Sequence, residues 1–125
     1  MRIIFTIFLF ISFDAQSDVF IIPPSDNAQE RIQEALILAQ PGDEIHLISG
    51  VYKIEDGLSL DVDNILFSGE GHDKTILDFT DQMTGAQGLL VTSNEVMLKD
   101  FAIINTKGDG IKTIGSEGIY FINLR

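Results

Sequence analysis

Gly57-Leu58-Ser59-Leu60, followed after a polar break by Asn64-Ile65-Leu66-Phe67, is a phrase that this chain states three times. The second copy is Gly88-Leu89-Leu90-Val91 with Glu95-Val96-Met97-Leu98. The third is Gly110-Ile111-Lys112-Thr113 with Gly118-Ile119-Tyr120-Phe121. The first glycines stand 31 and then 22 positions apart, and the second strand starts, Ile65, Val96 and Ile119, stand 31 and 23 apart. Paired short strands at such a period predict a solenoid, in which each repeat buries its apolar face only by stacking on its neighbours. Four residues after each second start come Gly69, Asp100 and Asn123. These types tolerate left-handed backbone or bond to it locally, so stacking them at one corner predicts a ladder. The longer first interval predicts an insertion between Gly71 and Gln87, with Lys74 to Phe79 as an extra strand and a loop behind it.

Upstream of the repeats, Val19-Phe20-Ile21-Ile22 reads as a short strand stopped by Pro23-Pro24. Asn27 with Glu30 resembles a capping box, and Ile32, Ala35, Leu36 and Ala39 recur at helical spacing; together they predict a helix over 28–40. Pro41-Gly42-Asp43 ends it. Glu44-Ile45-His46-Leu47-Ile48 then alternates, with Ile45 and Leu47 on one face and His46 on the other. Val51 to Ile54 and Phe101 to Ile104 supply further strands. No second helical pattern falls between strands, which speaks against a doubly wound α/β fold.

The 125 residues allow one domain. Eight Lys and Arg face 19 Asp and Glu, for a formal charge of −11, which argues against nucleic acid as a partner because phosphate binding needs a basic stripe. It equally disfavours an anionic membrane surface. With no cysteine, disulfide and thiolate chemistry are excluded, as is a lipid-modified N-terminal cysteine. Met1-Arg2, the apolar run Ile3 to Phe13 and Ala15-Gln16-Ser17 have the form of a secretory signal peptide over 1–17, cut after Ser17, which predicts a secreted or periplasmic protein of residues 18–125. The run is shorter than the about 20 residues a spanning helix needs.

An amphipathic helix, Pro41-Gly42-Asp43, an alternating strand and Gly50-Val51-Tyr52 are followed by Leu58 to Asn64, Ser68-Gly69-Glu70-Gly71 and Thr75-Ile76-Leu77. From about Ile21 to Arg125 this resembles the N-terminal part of secreted right-handed parallel β-helix proteins, the pectin-lyase-like superfamily. It is most similar to bacterial "parallel β-helix domain" proteins of unestablished activity. The resemblance implies an all-β solenoid of about three to four coils, an N-terminal capping helix and an open C-terminal end. It also implies carbohydrate chemistry outside the cytoplasm.

Asn105-Thr106-Lys107-Gly108-Asp109-Gly110-Ile111-Lys112 resembles the Asn-Thr-Asp-Gly-Ile-Asp stretch of polygalacturonases. A glycosidase needs paired carboxylates, and lysines stand at 107 and 112 where a second carboxylate would help. The resemblance therefore implies a lyase or epimerase acting on an acidic polysaccharide rather than a hydrolase. Lys107, Asp109 and Lys112 are its candidate catalytic residues, because such an enzyme needs a base and a neutraliser for the uronate carboxylate. The same residues also read as a polar turn between coils. Asp61 with Asp63, and Asp78 with Asp81, are the carboxylate pairs nearest to a Ca²⁺ site, although calcium wants six to eight oxygens. Nothing points to any other cofactor. His46 and His72 read as surface histidines, and Phe67, Phe79, Phe101 and Phe121 as stacked core residues.

Asn123-Leu124-Arg125 falls inside a strand-turn unit, so the chain is expected to be the N-terminal piece of a longer solenoid and inactive alone. Its open last coil is expected to self-associate. The alternative expectation is a non-catalytic solenoid that binds glycan, metal or an envelope protein.

Overall fold

The computed structural model describes residues 16–125; the predicted signal peptide lies almost entirely outside them. The described chain is mostly β, with two sheets and one helix, in the order β1 (Val19–Ile22), α1 (Ala28–Leu38), β2 (Glu44–Leu47), β3 (Gly50–Lys53), β4 (Leu58–Leu60), β5 (Ile65–Ser68), β6 (Thr75–Asp78), β7 (Leu89–Val91), β8 (Val96–Ile104), β9 (Ile111–Thr113) and β10 (Ile119–Leu124). The larger sheet runs β1-β2-β5-β8-β6-β3 with β10 on the far side of β8; the smaller runs β4-β7-β9. Every strand pairing described is parallel.

The three copies of the repeated phrase lie side by side. Leu58 pairs with Leu89 and Leu89 with Ile111; Ile65 pairs with Val96 and Val96 with Ile119. Because side chains alternate, each register puts like on like, and inward columns such as Ile45, Phe67 and Leu98 are fully buried. Phe101 meets Phe67 edge-on, with ring centroids 5.2 Å apart and planes at 82°, an arrangement that suits the aromatic quadrupoles.

Three local expectations are corrected. Lys74 to Phe79 is not an extra strand: β6 pairs with β3 on one side and with the second half of β8 on the other, so the long interval comes from the loops around it. Nor do Val96 to Leu98 and Phe101 to Ile104 form separate strands. They are the two halves of β8, which pair with β5 and β6 and meet at Asp100, whose φ is 61°. The third correction concerns Asn27, which makes no side-chain cap; its Oδ1 accepts instead from the Ser25 hydroxyl at 2.7 Å.

The corner ladder forms with different chemistry at each level. Asp100 and Asn123 are both left-handed, at φ 61° and 50°, and Asn123 Nδ2 donates to Asp100 Oδ1 at 3.1 Å. Gly69 has no left-handed φ. Glycine is needed there because a Cβ would collide with the Asp100 carbonyl oxygen.

Helix α1 covers one end of the strand stack, burying Ala28, Ile32, Ala35 and Leu36. Two of its glutamines act on neighbouring backbone in place of a strand. Gln33 accepts from Ser59 N at 2.9 Å and donates to Ser59 O at 3.1 Å, while Gln29 Oε1 accepts from the amides of Glu55 and Asp56. Buried Asp43 ties the helix exit to β1 by accepting from Gln40 N and Asp18 N, each at 2.8 Å. At the opposite end nothing described covers β9 and β10. Phe121 continues the column of Phe67 and Leu98 yet is 55% exposed. Among the described residues no helix is long and apolar enough to cross a membrane.

Candidate functional site

The sequence candidates Lys107, Asp109 and Lys112 lie on β9 and the loop before it. Lys107 and Asp109 sit on the exposed loop between β8 and β9, where Lys107 N donates to Gln82 Oε1 and the Asp109 carbonyl accepts from Gly88 N. Lys112 lies within β9 opposite Leu90, exposed on the smaller sheet. The ion pairs formed among the described residues involve none of the three.

The carboxylate pairs act as joints between successive levels. Asp61 accepts from the Thr92 hydroxyl at 2.7 Å and Asp63 from Asn94 N at 2.8 Å. Asp78 accepts from both the amide and the hydroxyl of Thr80 and from Asn105 Nδ2. The hydroxyl bond, foremost among these, holds its carboxyl below the usual carboxylate range. Asp81 is exposed. Among the described residues no three His, Cys, Asp or Glu side chains are grouped to hold a metal ion.

The groups that do converge stand on the outward face of the larger sheet. In β2 the alternation that buries Ile45 and Leu47 turns Glu44 and His46 outward, and the β2–β5 register sets His46 beside Ser68 and Glu44 beside Leu66. The Ser68 hydroxyl donates to Glu44 Oε1 at 2.9 Å, so its oxygen is free to accept from His46 Nδ1, 2.8 Å away. The other ring nitrogen, Nε2, faces Glu70 Oε2 at 3.6 Å. Glu70 is fixed in turn by Ser49, whose amide and hydroxyl donate to Oε1 at 2.6 and 3.1 Å; the amide bond does most to hold this carboxyl below its usual range. The result is an imidazole oriented by a serine and held between two carboxylates, a proton donor and acceptor with its geometry set in advance.

Two outward columns extend the cluster along the sheet. His46, Ser68, Lys99 and Ile122 share one register, so a cation stands on the strand beyond Ser68, with Lys99 Nζ 4.0 Å from Asp100 Oδ2. The neighbouring column carries Glu44, Leu66, Met97 and Tyr120 and floors a groove of about 440 Å³. Tyr120 is 54% exposed there and presents its ring outward. Tyr52, the other tyrosine, is buried. Its hydroxyl lies 2.7 Å from the carbonyl oxygens of both Ile22 and Ile48, and burial, helped by the Glu70 charge, pushes its pKa up to about 12.

The sequence reading placed His46 on the polar side of its strand but not its partners. The missing signal was the register between β2 and β5, which spans 22 residues and makes Ser68 the neighbour of His46. No known family profile matches the chain, and no curated protein matches it.

Proposed function

We propose that the chain is a right-handed parallel β-helix of the pectin-lyase-like kind, exported from the cytoplasm, whose larger sheet offers its outward face to a polysaccharide. The reaction class is that of a lyase or epimerase on an acidic glycan: removal of the proton next to a uronate carboxylate. The observation that carries this reading is the column of His46, Ser68 and Lys99 on three successive strands. His46 is the base, with Ser68 and Glu70 setting its ring, and Lys99 is the cation that meets the uronate carboxylate. Leu66, Met97 and Tyr120 form the apolar floor on which sugar rings lie. The parallel registers, the helix over one end and the corner at Asp100 support the β-helix reading.

The overall charge of −11 repels an acidic polymer at long range. Screening confines that repulsion to about 8 Å at physiological salt, so contact is governed by the groups on this face. Affinity electrophoresis in gels containing alginate, pectate or a neutral glucan tests the proposal. Retardation by the uronate polymers alone, abolished in Lys99→Ala and in Tyr120→Ala, supports it; equal mobility in all gels overturns it. Release of unsaturated uronates that stops in His46→Gln assigns lyase chemistry. Retardation with no turnover assigns the second reading, a glycan-binding solenoid, which the exposed Tyr120 ring beside the groove favours.

A further inference from the structure

A single hydroxyl proton decides how the histidine on the larger sheet is arranged. Ser68 is buried, and its hydroxyl has two partners among the described residues: Glu44 Oε1 at 2.9 Å and His46 Nδ1 at 2.8 Å. With one proton to donate, the hydroxyl can serve only one of them as a donor. Glu44 Oε1 and His46 Nδ1 are themselves 3.9 Å apart, too far to bond directly, so the serine is the link between them.

The two partners do not compete equally. An ionised carboxylate has no proton to offer. If the Ser68 proton turned to His46, Glu44 and Ser68 would face each other lone pair to lone pair at 2.9 Å, and a charged group would lose its donor. A neutral imidazole can carry its proton on either nitrogen, so turning the serine proton to Glu44 costs the ring only a choice of tautomer. A bond to a charged acceptor is also about twice as strong as a neutral one. The second carboxylate does not reverse the choice. Glu70 Oε2 lies 3.6 Å from Nε2, beyond hydrogen-bond reach, and Glu70 is pinned through Oε1 by the Ser49 amide and hydroxyl. Lys99, next along the column on the far side of Ser68, is a donor only and cannot take the Nδ1 proton.

We propose that Glu44 is the positioning residue of this site: acting through Ser68, it holds neutral His46 in the tautomer protonated at Nδ1, so that Nε2 is the atom that takes up a proton. The chain of bonds runs one way, from Nδ1–H to the Ser68 oxygen and from the Ser68 hydroxyl to Glu44. Nε2 is left with its lone pair free. Glu70 then stands where it stabilises the imidazolium formed when Nε2 is protonated, without taking part in the choice of tautomer. That the proton comes from a sugar rests on the reading proposed above; the tautomer and the role of Glu44 do not.

Nitrogen-15 NMR of the imidazole side chains tests it on the full chain without any sugar present, at about pH 8, above the ordinary histidine pKa of about 6.5. The protonated nitrogen of a neutral ring resonates well upfield of the bare one, and the spectrum of His46→Gln separates His46 from His72. In the native chain Nδ1 of His46 should be the protonated nitrogen. Glu44→Gln keeps the shape of the side chain but removes its charge, and should lower the ratio of the two tautomers by roughly tenfold. Ser68→Ala should lower it as well, whereas Ser68→Thr, which restores the hydroxyl, should recover it; circular dichroism checks that each variant is folded. A native ring protonated at Nε2 overturns the proposal. So does a ratio that Glu44→Gln leaves unchanged, since Glu44 would then not set it. Either result leaves the glycan-binding test untouched, and a chain that binds no glycan leaves the tautomer measurement untouched, so the two readings fail separately.

Discussion

The two ends of this molecule solve the same problem differently. A stack of parallel strands leaves two faults at each end, an uncovered core and an edge of unpaired backbone. At the β1–α1 end one helix covers the core and the β4 edge of the smaller sheet, while the outer edge of β1 has no partner strand among the described residues. Ile32 and Leu36 close the core, while Gln33 hydrogen-bonds both backbone groups of Ser59 as a neighbouring strand would. At the β10 end neither repair is present among the described residues, and Phe121 stands exposed where Phe67 and Leu98 are buried. The difference teaches that one residue type at one register position can be core or surface, depending only on whether another level lies above it.

The largest expected effect compares matched phenylalanines. Phe67→Ala should cost about 3–5 kcal/mol in denaturant unfolding, since it opens a cavity at a fully buried site. Phe121→Ala, in the same column, should cost about 1 kcal/mol or less, because half of the ring already meets water. Equal losses would mean that the β10 end is covered in solution.

Tyr52 belongs to the helix-covered half. Tyr52→Phe should cost about 1–3 kcal/mol by taking the hydroxyl away from two carbonyl oxygens. The same residue sets an alkaline limit. Its folded pKa, about 12, lies above the unfolded value, so its contribution is complete below about pH 10 and is lost as pH rises towards 12. Unfolding midpoints measured across that window should fall in the native chain and stay flatter in Tyr52→Phe.

The two free edges of the smaller sheet give a finer comparison. Gln33→Ala should destabilise by about 0.5–1.5 kcal/mol, because it strips the cover from β4. Lys112→Ala, on uncovered β9, should lie within about 0.5 kcal/mol of the native chain. At low pH the order is set by carboxylates. Glu70 and Asp78 have folded pKa values below the usual range, so their contributions are present above it and lost as pH falls through the folded values. Glu70→Gln should therefore flatten the acid limb of a stability profile measured by thermal melts.

Much of the strand and helix pattern was legible because the sequence is periodic. The glycine-led phrase and the helical spacing of Ile32, Ala35 and Leu36 each report a local preference, and repetition multiplies the signal. The same reading failed wherever identity depended on a neighbour about 22 or 31 residues away. Lys74 to Phe79 looked inserted because loops of unequal length flank it, and its membership of the sheet shows only in its pairing with β3 and β8. The partners of Asp61 and Asp63 also lie 31 residues away: the Thr92 hydroxyl and the Asn94 amide. Lys107, Asp109 and Lys112 lie close in the chain, and none of them enters an ion pair among the described residues.

By itself, then, the sequence determined which residues turn inward, where the helix falls and that the rest is strand and turn. These follow from side-chain chemistry and the two backbone periods. Tertiary structure alone decided that His46 lies against Ser68 between Glu44 and Glu70, and that Phe121 is surface while Phe67 is core. Both depend on the register between strands and on what stands at the next level, and these are set by long-range packing rather than by any local run of residues.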